Sequence, residues 1–173
     1  LKKMLNNNIL KVDFNHRPNW DEYFLGLAFV ISARSRDSET KHGAVITDFN
    51  HKVLGTGYNS FIQGMNDSLF PTTRPAKYDF MIHAEINSLL NCKVLPKETG
   101  GGKLYVTGQC CNSCFQQLIQ AGVKEFYMAK RQGTHLESGE TKEIFDKIVK
   151  ETKVKIKYLD INLGWIKQLV DQF

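Results

Sequence analysis

The sequence predicts an α/β fold: a three-layer α/β/α sandwich around a mixed five-stranded sheet. Short runs of apolar, β-favouring residues alternate with segments whose apolar residues recur at helical spacing. The first two predicted strands follow each other across a short turn and should pair as antiparallel neighbours. The later strands are separated by helices, so they should be parallel with right-handed crossovers. A chain of 173 residues fits one such domain over residues 1–173.

The first half of the chain contains one predicted helix, a two-stranded hairpin and a long loop. Asn19 is a favourable N-cap for the helix, with Asp21 and Glu22 in its first turn. A loop as long as the predicted one usually carries function. In chain order, the predicted ranges are an N-terminal arm at 1–15, a helix at 19–31, strands at 43–47 and 52–57, and a loop at 60–79.

The second half alternates helices with strands. One helix carries His83 and Glu85 in its first turn, and Cys111 opens another helix that Gly122 ends in the C′ position. In chain order, the predicted ranges are a helix at 82–90, a strand at 104–107, a helix at 111–121, a strand at 125–129, a helix at 141–149, a strand at 154–159 and a helix at 162–173.

The net charge of +5 is spread along the chain and favours an anionic partner, either a phosphorylated small molecule or a nucleic acid. No apolar run is long enough to span a bilayer, and no segment has the pattern of a secretory signal peptide. We therefore expect no membrane partner. Two of the four cysteines form a Cys-x-x-Cys motif, which argues for reduced thiolates on a metal and for a cytoplasmic location.

Two separated motifs supply a candidate zinc site. The first, His83-Ala84-Glu85, offers an imidazole, and the second, Cys111-Asn112-Ser113-Cys114, offers two thiols. One nitrogen and two sulfurs fill three corners of a zinc tetrahedron and leave the fourth open, as a catalytic site requires. Both motifs lie at predicted helix N-termini, where the helix dipole favours thiolate over thiol. Zn²⁺ is therefore the expected cofactor, with His83, Cys111 and Cys114 as its ligands.

Glu85 is the candidate catalytic residue. A zinc ion with an open position lowers the pKa of a water molecule to ~7, and a carboxylate two residues after the histidine is placed to move its proton. The signature H-x-E…P-C-x-x-C of zinc nucleobase deaminases has this arrangement. The expected reaction is the hydrolytic removal of an exocyclic amine from a base.

The Cys-x-x-Cys motif has a plainer alternative, a structural zinc site or a redox pair. A structural site needs a fourth protein ligand, and Cys110, which stands where the signature has proline, is the candidate. Because Cys110 directly precedes Cys111, its side chain should point away from a metal that Cys111 binds. A structural site also has no use for the carboxylate of Glu85, so we favour the catalytic interpretation.

Beyond the metal motifs, the sequence resembles deoxycytidylate (dCMP) deaminases of the cytidine deaminase-like superfamily, from about residue 33 to residue 129. The stretches that carry the resemblance are Ser32-Ala33-Arg34-Ser35-Arg36-Asp37, Gly43-Ala44-Val45-Ile46, Gly55-Thr56-Gly57-Tyr58-Asn59, Ile82-His83-Ala84-Glu85-Ile86-Asn87, Leu104-Tyr105-Val106-Thr107 and Ile119-Gln120-Ala121-Gly122-Val123-Lys124-Glu125. The resemblance implies a zinc-dependent hydrolase that converts dCMP to dUMP for thymidylate synthesis. It also implies a homo-oligomer, often a hexamer, with dCTP and dTTP as effectors and Mg²⁺ accompanying an effector nucleotide.

Four further residues become candidates for substrate binding. By its position in the resemblance, Asn59 would contact the sugar and base, and Ser35 and Arg36 would help to hold the 5′-phosphate. Independently of the resemblance, a loop with Arg34, Ser35 and Arg36 offers charge-assisted donors that suit a phosphate. The alternative for this loop is a solvated basic turn.

The sequence departs from the family pattern at three places. Cys110 replaces a proline, and Ser60 replaces the glycine of a Gly-Tyr-Asn-Gly element. The segment 61–64 lacks the proline that often follows this element, in a region that binds effectors in the family, so the response to dCTP and dTTP stays open. The insertion at 60–79 contains neither cysteine nor histidine, so we predict one zinc ion per chain.

Two other functions stay open at this point. A deaminase that acts on a base within tRNA or single-stranded DNA would fit the basic balance, although nucleic acid is the less favoured partner. The insertion offers aromatic side chains that could stack on bases, namely Phe61, Phe70, Tyr78 and Phe80. A non-catalytic zinc-binding or nucleotide-sensing module would keep the metal site without turnover.

Overall fold

The computed structural model describes residues 17–130 and 139–171. The predicted N-terminal arm and the last two residues of the predicted final helix lie outside the described residues. The helices are α1 (Trp20–Ser32), α2 (Ala84–Leu90), α3 (Asn112–Gln120), α4 (Glu140–Thr152) and α5 (Gly164–Val170). The strands are β1 (Gly43–Asp48), β2 (Val53–Tyr58), β3 (Ser60–Phe61), β4 (Met81–Ile82), β5 (Gly102–Val106), β6 (Val123–Ala129) and β7 (Lys155–Leu159).

The main sheet has five strands in the order β2-β1-β5-β6-β7. Strand β1 runs antiparallel to both β2 and β5, whereas β5, β6 and β7 are parallel to one another. The hairpin explains the antiparallel pair β1–β2, and the segment with α2 carries the chain from β2 to the other side of β1, where β5 runs parallel to β2 and hence antiparallel to β1. The helices α3 and α4 provide the crossovers between the parallel strands β5, β6 and β7. The prediction of a mixed five-stranded sheet is therefore confirmed.

Helices cover both faces of the sheet, because the strands alternate apolar residues between two cores. One core packs α1 against the sheet through Phe24, Ala28, Val45, Tyr105 and Tyr127. The ring of Trp165 in α5 lies 6.0 Å from that of Tyr23 in α1, which places α5 on the same side. The opposite core packs α2, α3 and α4 on the other face, and its largest members are Ile46, Leu104, Phe115, Leu118, Phe126, Met128 and Phe145.

Helix α2 lies unusually close to β2, and two glycines permit this. A Cβ atom on Gly57 would lie 2.2 Å from the backbone nitrogen of Ser88, and one on Gly55 would lie 2.2 Å from the carbonyl oxygen of Ser88. Any larger residue would push the helix away from the strand. The two glycines thus hold α2 against the sheet and fix the position of its N-terminus.

The structure also corrects two predictions for the segment between β2 and α2. Helix α2 begins at Ala84 rather than at residue 82, because Ile82 pairs with Ser60 in a separate two-stranded sheet formed by β3 and β4. The segment predicted as a loop at 60–79 contains β3 and two short 3₁₀ turns at Asp67–Leu69 and Ala76–Asp79. By contrast, the predicted cap of α1 is confirmed, since Asn19 and Glu22 form a reciprocal capping box.

Within the described residues, no helix combines the length and the apolar character needed to cross a membrane.

Candidate active site

The N-termini of two helices supply the metal-binding side chains. His83 is the N-cap of α2 and Cys111 is the N-cap of α3, both in extended backbone conformations. Cys114 lies one turn into α3, and its backbone N–H donates to the sulfur of Cys111 at 3.5 Å. The Cys-x-x-Cys spacing therefore brings both sulfurs to the same end of one helix, facing the imidazole at the end of the other.

The three side chains have the geometry of a zinc site. The Nδ1 atom of His83 lies 3.6 Å from Sγ of Cys111 and 3.4 Å from Sγ of Cys114. With zinc–sulfur and zinc–nitrogen bonds of about 2.3 and 2.1 Å, a tetrahedral ion would hold nitrogen and sulfur about 3.6 Å apart. Across residues 17–130 and 139–171, this is the one group of three or more histidine, cysteine or carboxylate ligands that could hold a metal ion. The residues therefore fit zinc.

Hydrogen bonds among the two thiols and the imidazole shift the pKa values of all three groups. Hydrogen bonds from Cys114 and then from His83 lower the pKa of Cys111 to about 4, although burial opposes this. The hydrogen bond to Cys111 raises the pKa of His83 and that of Cys114. The lowered pKa favours the thiolate form of Cys111, which is the form that binds a metal.

Glu85 lies in the first turn of α2 and is almost fully buried, with 5% of its surface exposed. It lines the same pocket as His83 and Cys111. Burial raises the pKa of Glu85, which brings a carboxyl group closer to the range in which it can both accept and return a proton at neutral pH. The structure therefore places a tuned carboxyl group beside the metal-binding side chains, as the sequence predicts.

Cys110 is fully buried and lies outside the three-residue metal group. It packs in the core with Phe115 and its neighbours, and it lies close enough to Glu85 for the two side chains to influence each other's pKa. Burial raises the pKa of Cys110 far above its ordinary value, so the side chain stays a neutral thiol. The sequence predicted that this thiol points away from the metal but gave no signal that it lies beside Glu85, since the two residues are far apart in the chain.

A cavity of about 200 Å³ opens onto the metal-binding residues. Asn59 lines it, and the amide of this residue is held on both sides: its oxygen accepts from the backbone of His42 at 2.8 Å, and its nitrogen donates to Asp37 and to the carbonyl oxygen of Thr40, each at 3.0 Å. The structure thus brings Asn59 to the site, as predicted, although a contact with substrate stays a prediction. The other lining residues are Asp37, Thr40, His42, Arg74, Lys77, Tyr78, Met81, His83, Ala84, Glu85, Gln109 and Cys111.

The structure does not bring the predicted phosphate loop into this cavity. Ser35 is buried, and its hydroxyl donates to the carbonyl oxygen of Asn59 at 2.9 Å and accepts from the backbone of Asp37 at 3.1 Å. Arg34 and Arg36 line a different surface pocket, and Arg36 lies 3.4 Å from the carboxylate of Asp67. The role of these residues in phosphate binding stays a prediction.

The sequence did not predict the two cationic residues that the insertion contributes to the cavity, Arg74 and Lys77, and it singled out Tyr78 only as a candidate for base stacking. The ammonium group of Lys77 lies 2.7 Å from Asp37 and 3.1 Å from Glu39. No spacing rule links positions that lie 40 residues apart in irregular segments, so a single sequence carries no signal for this contact.

Comparison with known proteins also indicates a zinc site, in agreement with the geometry of the metal group. A family model described as the cytidine and deoxycytidylate deaminase zinc-binding region matches residues 18–130. The deoxycytidylate deaminase of Pongo abelii is 34% identical over 134 residues, which cover 73% of this chain and 74% of that protein. The deoxycytidylate deaminase of Mus musculus is 38% identical over 112 residues, 61% of this chain. The matched residues span 62% of the length of the mouse protein.

The fold also matches that of a solved structure. The dCMP deaminase from the cyanophage S-TIM5, in complex with dCMP and dUMP, superposes with a TM-score of 0.59 at 22% sequence identity. The superposition covers 83% of this chain and 99% of that one. The stretch that the family model matches contains every member of the metal group together with Glu85, and the chain therefore belongs to the family defined by the cytidine and deoxycytidylate deaminase zinc-binding region.

Proposed function

We propose that the protein is a zinc-dependent hydrolase that converts dCMP and water to dUMP and ammonia, and so supplies dUMP for thymidylate synthesis. The observation that carries the proposal is one cavity that is lined by His83 and Cys111 of the metal group and by the buried Glu85. The relatives named deoxycytidylate deaminase and the cyanophage enzyme in complex with dCMP and dUMP support dCMP as the substrate.

The metal-binding residues and Glu85 have separate roles in the proposed reaction. His83, Cys111 and Cys114 would hold zinc, which supplies a Lewis acid that lowers the pKa of the attacking water. The carboxylate of Glu85 takes a proton from this water and passes it to the ring nitrogen next to the amine-bearing carbon. A carbon–oxygen bond forms at that carbon while its double bond to the protonated ring nitrogen becomes single. Glu85 then takes the remaining proton of the added hydroxyl and delivers it to the amino group, the carbon–nitrogen bond breaks as the carbonyl forms, and ammonia leaves.

Two sets of side chains are candidates for holding the rest of the nucleotide. Asn59 lines the cavity, and Asp37, Thr40 and His42 occupy both amide hydrogens and one acceptor position. A contact with the sugar or base would therefore use the remaining lone pair of its amide oxygen. The resemblance assigns the 5′-phosphate to Arg34, Ser35 and Arg36. Because these residues face a separate pocket or are buried, the assignment stays a prediction from the resemblance, and its test is the comparison of Arg36→Gln with Arg74→Gln.

Three further proposals concern assembly, location and effector binding. We propose a homo-oligomer, with a hexamer favoured, as the resemblance implies, and a cytoplasmic location, because metal-binding thiols need a reducing compartment. We also propose that dCTP and dTTP bind as effectors, with Mg²⁺ accompanying the nucleotide. Light scattering of the zinc-loaded protein with and without each effector tests the assembly, and dCMP titrations in the same solutions test the effector response.

The comparisons favour dCMP over a base within a nucleic acid. The aromatic side chains of the insertion also pack mainly on one another, since the ring of Phe70 lies 5.6 Å from that of Phe61 and 5.1 Å from that of Phe80. Of the four candidate stacking residues, Tyr78 alone lines the cavity among the described residues. Among the described residues, the insertion therefore provides no continuous aromatic surface on which successive bases of a polynucleotide could stack.

A substrate panel tests the proposal. Zinc-loaded protein is incubated with dCMP, deoxycytidine, dCTP, cytidine, a tRNA stem-loop and single-stranded DNA, and ammonia release is measured. We expect the highest turnover with dCMP, its loss after chelation, and its return when zinc is added back. Turnover of a nucleic acid without turnover of dCMP would overturn the proposal, and zinc binding without any turnover would indicate a non-catalytic module.

A further inference from the structure

The cavity that opens onto the metal group is lined by two cationic side chains from the insertion, Arg74 and Lys77. They differ in how far carboxylates already neutralise their charge. Lys77 is 3% exposed. Its ammonium group contacts both carboxylate oxygens of Asp37, at 2.7 and 2.8 Å, and lies 3.1 Å from Glu39. Two carboxylates neutralise this lysine inside the protein, so an anionic ligand gains little from it.

Arg74 has a different environment. Its Nε donates to the hydroxyl of Tyr78 at 2.8 Å, and its Nη2 donates to the hydroxyl of Thr40 at 2.9 Å. In the part of the chain that the structure describes, its guanidinium group forms no ion pair with a carboxylate. Since a guanidinium group carries five N–H donors, the two neutral hydroxyls use two of them and leave three for a ligand.

The position of Arg74 is also fixed by its main chain. The backbone N–H of Arg74 donates to Glu39 at 2.7 Å, and Glu39 contacts the buried Lys77. The segment that carries Arg74 is thereby tied to the buried charges beneath it. A planar guanidinium group that is held by two hydroxyls and by its own backbone is pre-organised for bidentate binding of a phosphate.

We propose that Arg74 recognises the 5′-phosphate of the substrate and makes the enzyme select the nucleotide over the nucleoside. This inference rests on the proposed function and adds the residue that would bind the phosphate. It assigns the phosphate to the insertion, in the cavity that contains His83 and Glu85, rather than to the loop of Arg34 and Arg36. The selectivity follows because deoxycytidine has no group that could use the donors of Arg74, whereas dCMP gains charge-assisted hydrogen bonds from them.

The test compares Arg74→Gln with the unmodified zinc-loaded full chain on dCMP and on deoxycytidine. Loss of a charge-assisted contact should lower kcat/KM for dCMP about 10- to 100-fold, and kcat/KM for deoxycytidine should stay unchanged. Arg74→Lys should fall between the two, since an ammonium group keeps the charge and loses the fork. The matched control is Arg17→Gln, which changes an exposed arginine in a different surface groove and should keep the full preference for dCMP.

A binding measurement makes the test independent of turnover. Calorimetry should show a weakening of dUMP binding of about 10- to 100-fold in Arg74→Gln, with the affinity for deoxyuridine unchanged. Zinc content and thermal melting confirm that the variant is folded and loaded.

The outcomes separate the two claims. If the unmodified enzyme does not deaminate dCMP, the proposed function fails and this inference fails with it. If the enzyme deaminates dCMP and Arg74→Gln keeps its preference for dCMP and its affinity for dUMP, only this inference is overturned. A loss of dCMP preference in Arg36→Gln, with none in Arg74→Gln, would likewise overturn it and assign the phosphate to the loop at 34–36.

Discussion

The ammonium nitrogen of Lys77 lies 2.7 Å from Oδ2 of Asp37, and both side chains are almost fully buried. Asp37 belongs to the loop after α1, whereas Lys77 belongs to the insertion between β3 and β4. Asp37 also accepts a hydrogen bond from Asn59, at the end of β2. One carboxylate therefore joins three separate segments of the cavity wall.

Removal of the lysine from this pair should destabilise the protein strongly. Lys77→Met leaves Asp37 buried without its counter-charge, which should lower the free energy of unfolding by about 3–5 kcal/mol. Urea denaturation measures the change. Lys93→Met, which alters an exposed lysine, should change it by less than about 0.5 kcal/mol. Similar losses in the two variants would contradict a special role for the buried pair.

The same carboxylate should make stability depend on pH in acid. Burial raises the pKa of Asp37, but the hydrogen bonds from Lys77, Thr40 and Glu39 together lower it below its ordinary value of 3.8. A lowered pKa in the folded state adds stability above that value, and this stability is lost as the pH falls through the lowered pKa. The difference in unfolding free energy between the unmodified protein and Asp37→Asn should therefore shrink below pH 3.8. A difference that stays constant from pH 6 to pH 3 would show that Asp37 does not contribute in this way.

Removal of one metal ligand should abolish zinc binding. Cys111→Ala should purify without zinc, and its melting temperature should no longer rise on zinc addition, because metal binding and folding are coupled at such sites. Elemental analysis and thermal melting give the two readouts. Cys92→Ala removes a thiol just after α2 that donates to the carbonyl oxygen of Ser88 and lies outside the metal group, and it should keep one zinc per chain. Zinc retained by Cys111→Ala would refute the ligand assignment.

The buried thiol beside the site should be dispensable for the metal. Cys110→Ala and Cys110→Pro both remove the thiol that lies beside Glu85 and leave the metal group in place. We expect full zinc content and a loss of turnover of less than about tenfold, the effect of one neutral polar interaction. Loss of zinc from these variants would instead identify Cys110 as a fourth ligand and the site as structural.

The sequence alone was sufficient for the parts of the molecule that depend on local pattern. Strands, helices and the metal motif show as periodicity, caps and ligand spacing, and the structure bears out the fold. The start of α2 was misplaced because Ile82 fits a helical pattern but is used in pairing with Ser60. Local preference could not reveal a partner 22 residues away.

The cavity wall was less predictable, since it depends on contacts between irregular segments. Nothing in the local sequence distinguishes Lys77, which is buried, from Arg36, whose side chain is 73% exposed. Likewise, the hydroxyl of Ser35 faces inward because it donates to the carbonyl oxygen of Asn59 and accepts from the backbone N–H of Asp37. The side chains of the cavity wall thus became known only once the insertion was placed on the sheet.

Glu85→Ala separates metal binding from catalysis when zinc content and dCMP turnover are measured on the same preparation. We expect unchanged zinc content and melting temperature, because Glu85 is not a ligand, and a loss of turnover of about 10²- to 10⁴-fold, the usual contribution of a general acid–base group. Turnover of dCMP at the unmodified rate by zinc-loaded Glu85→Ala would show that Glu85 is not the catalytic acid–base group of a dCMP deaminase.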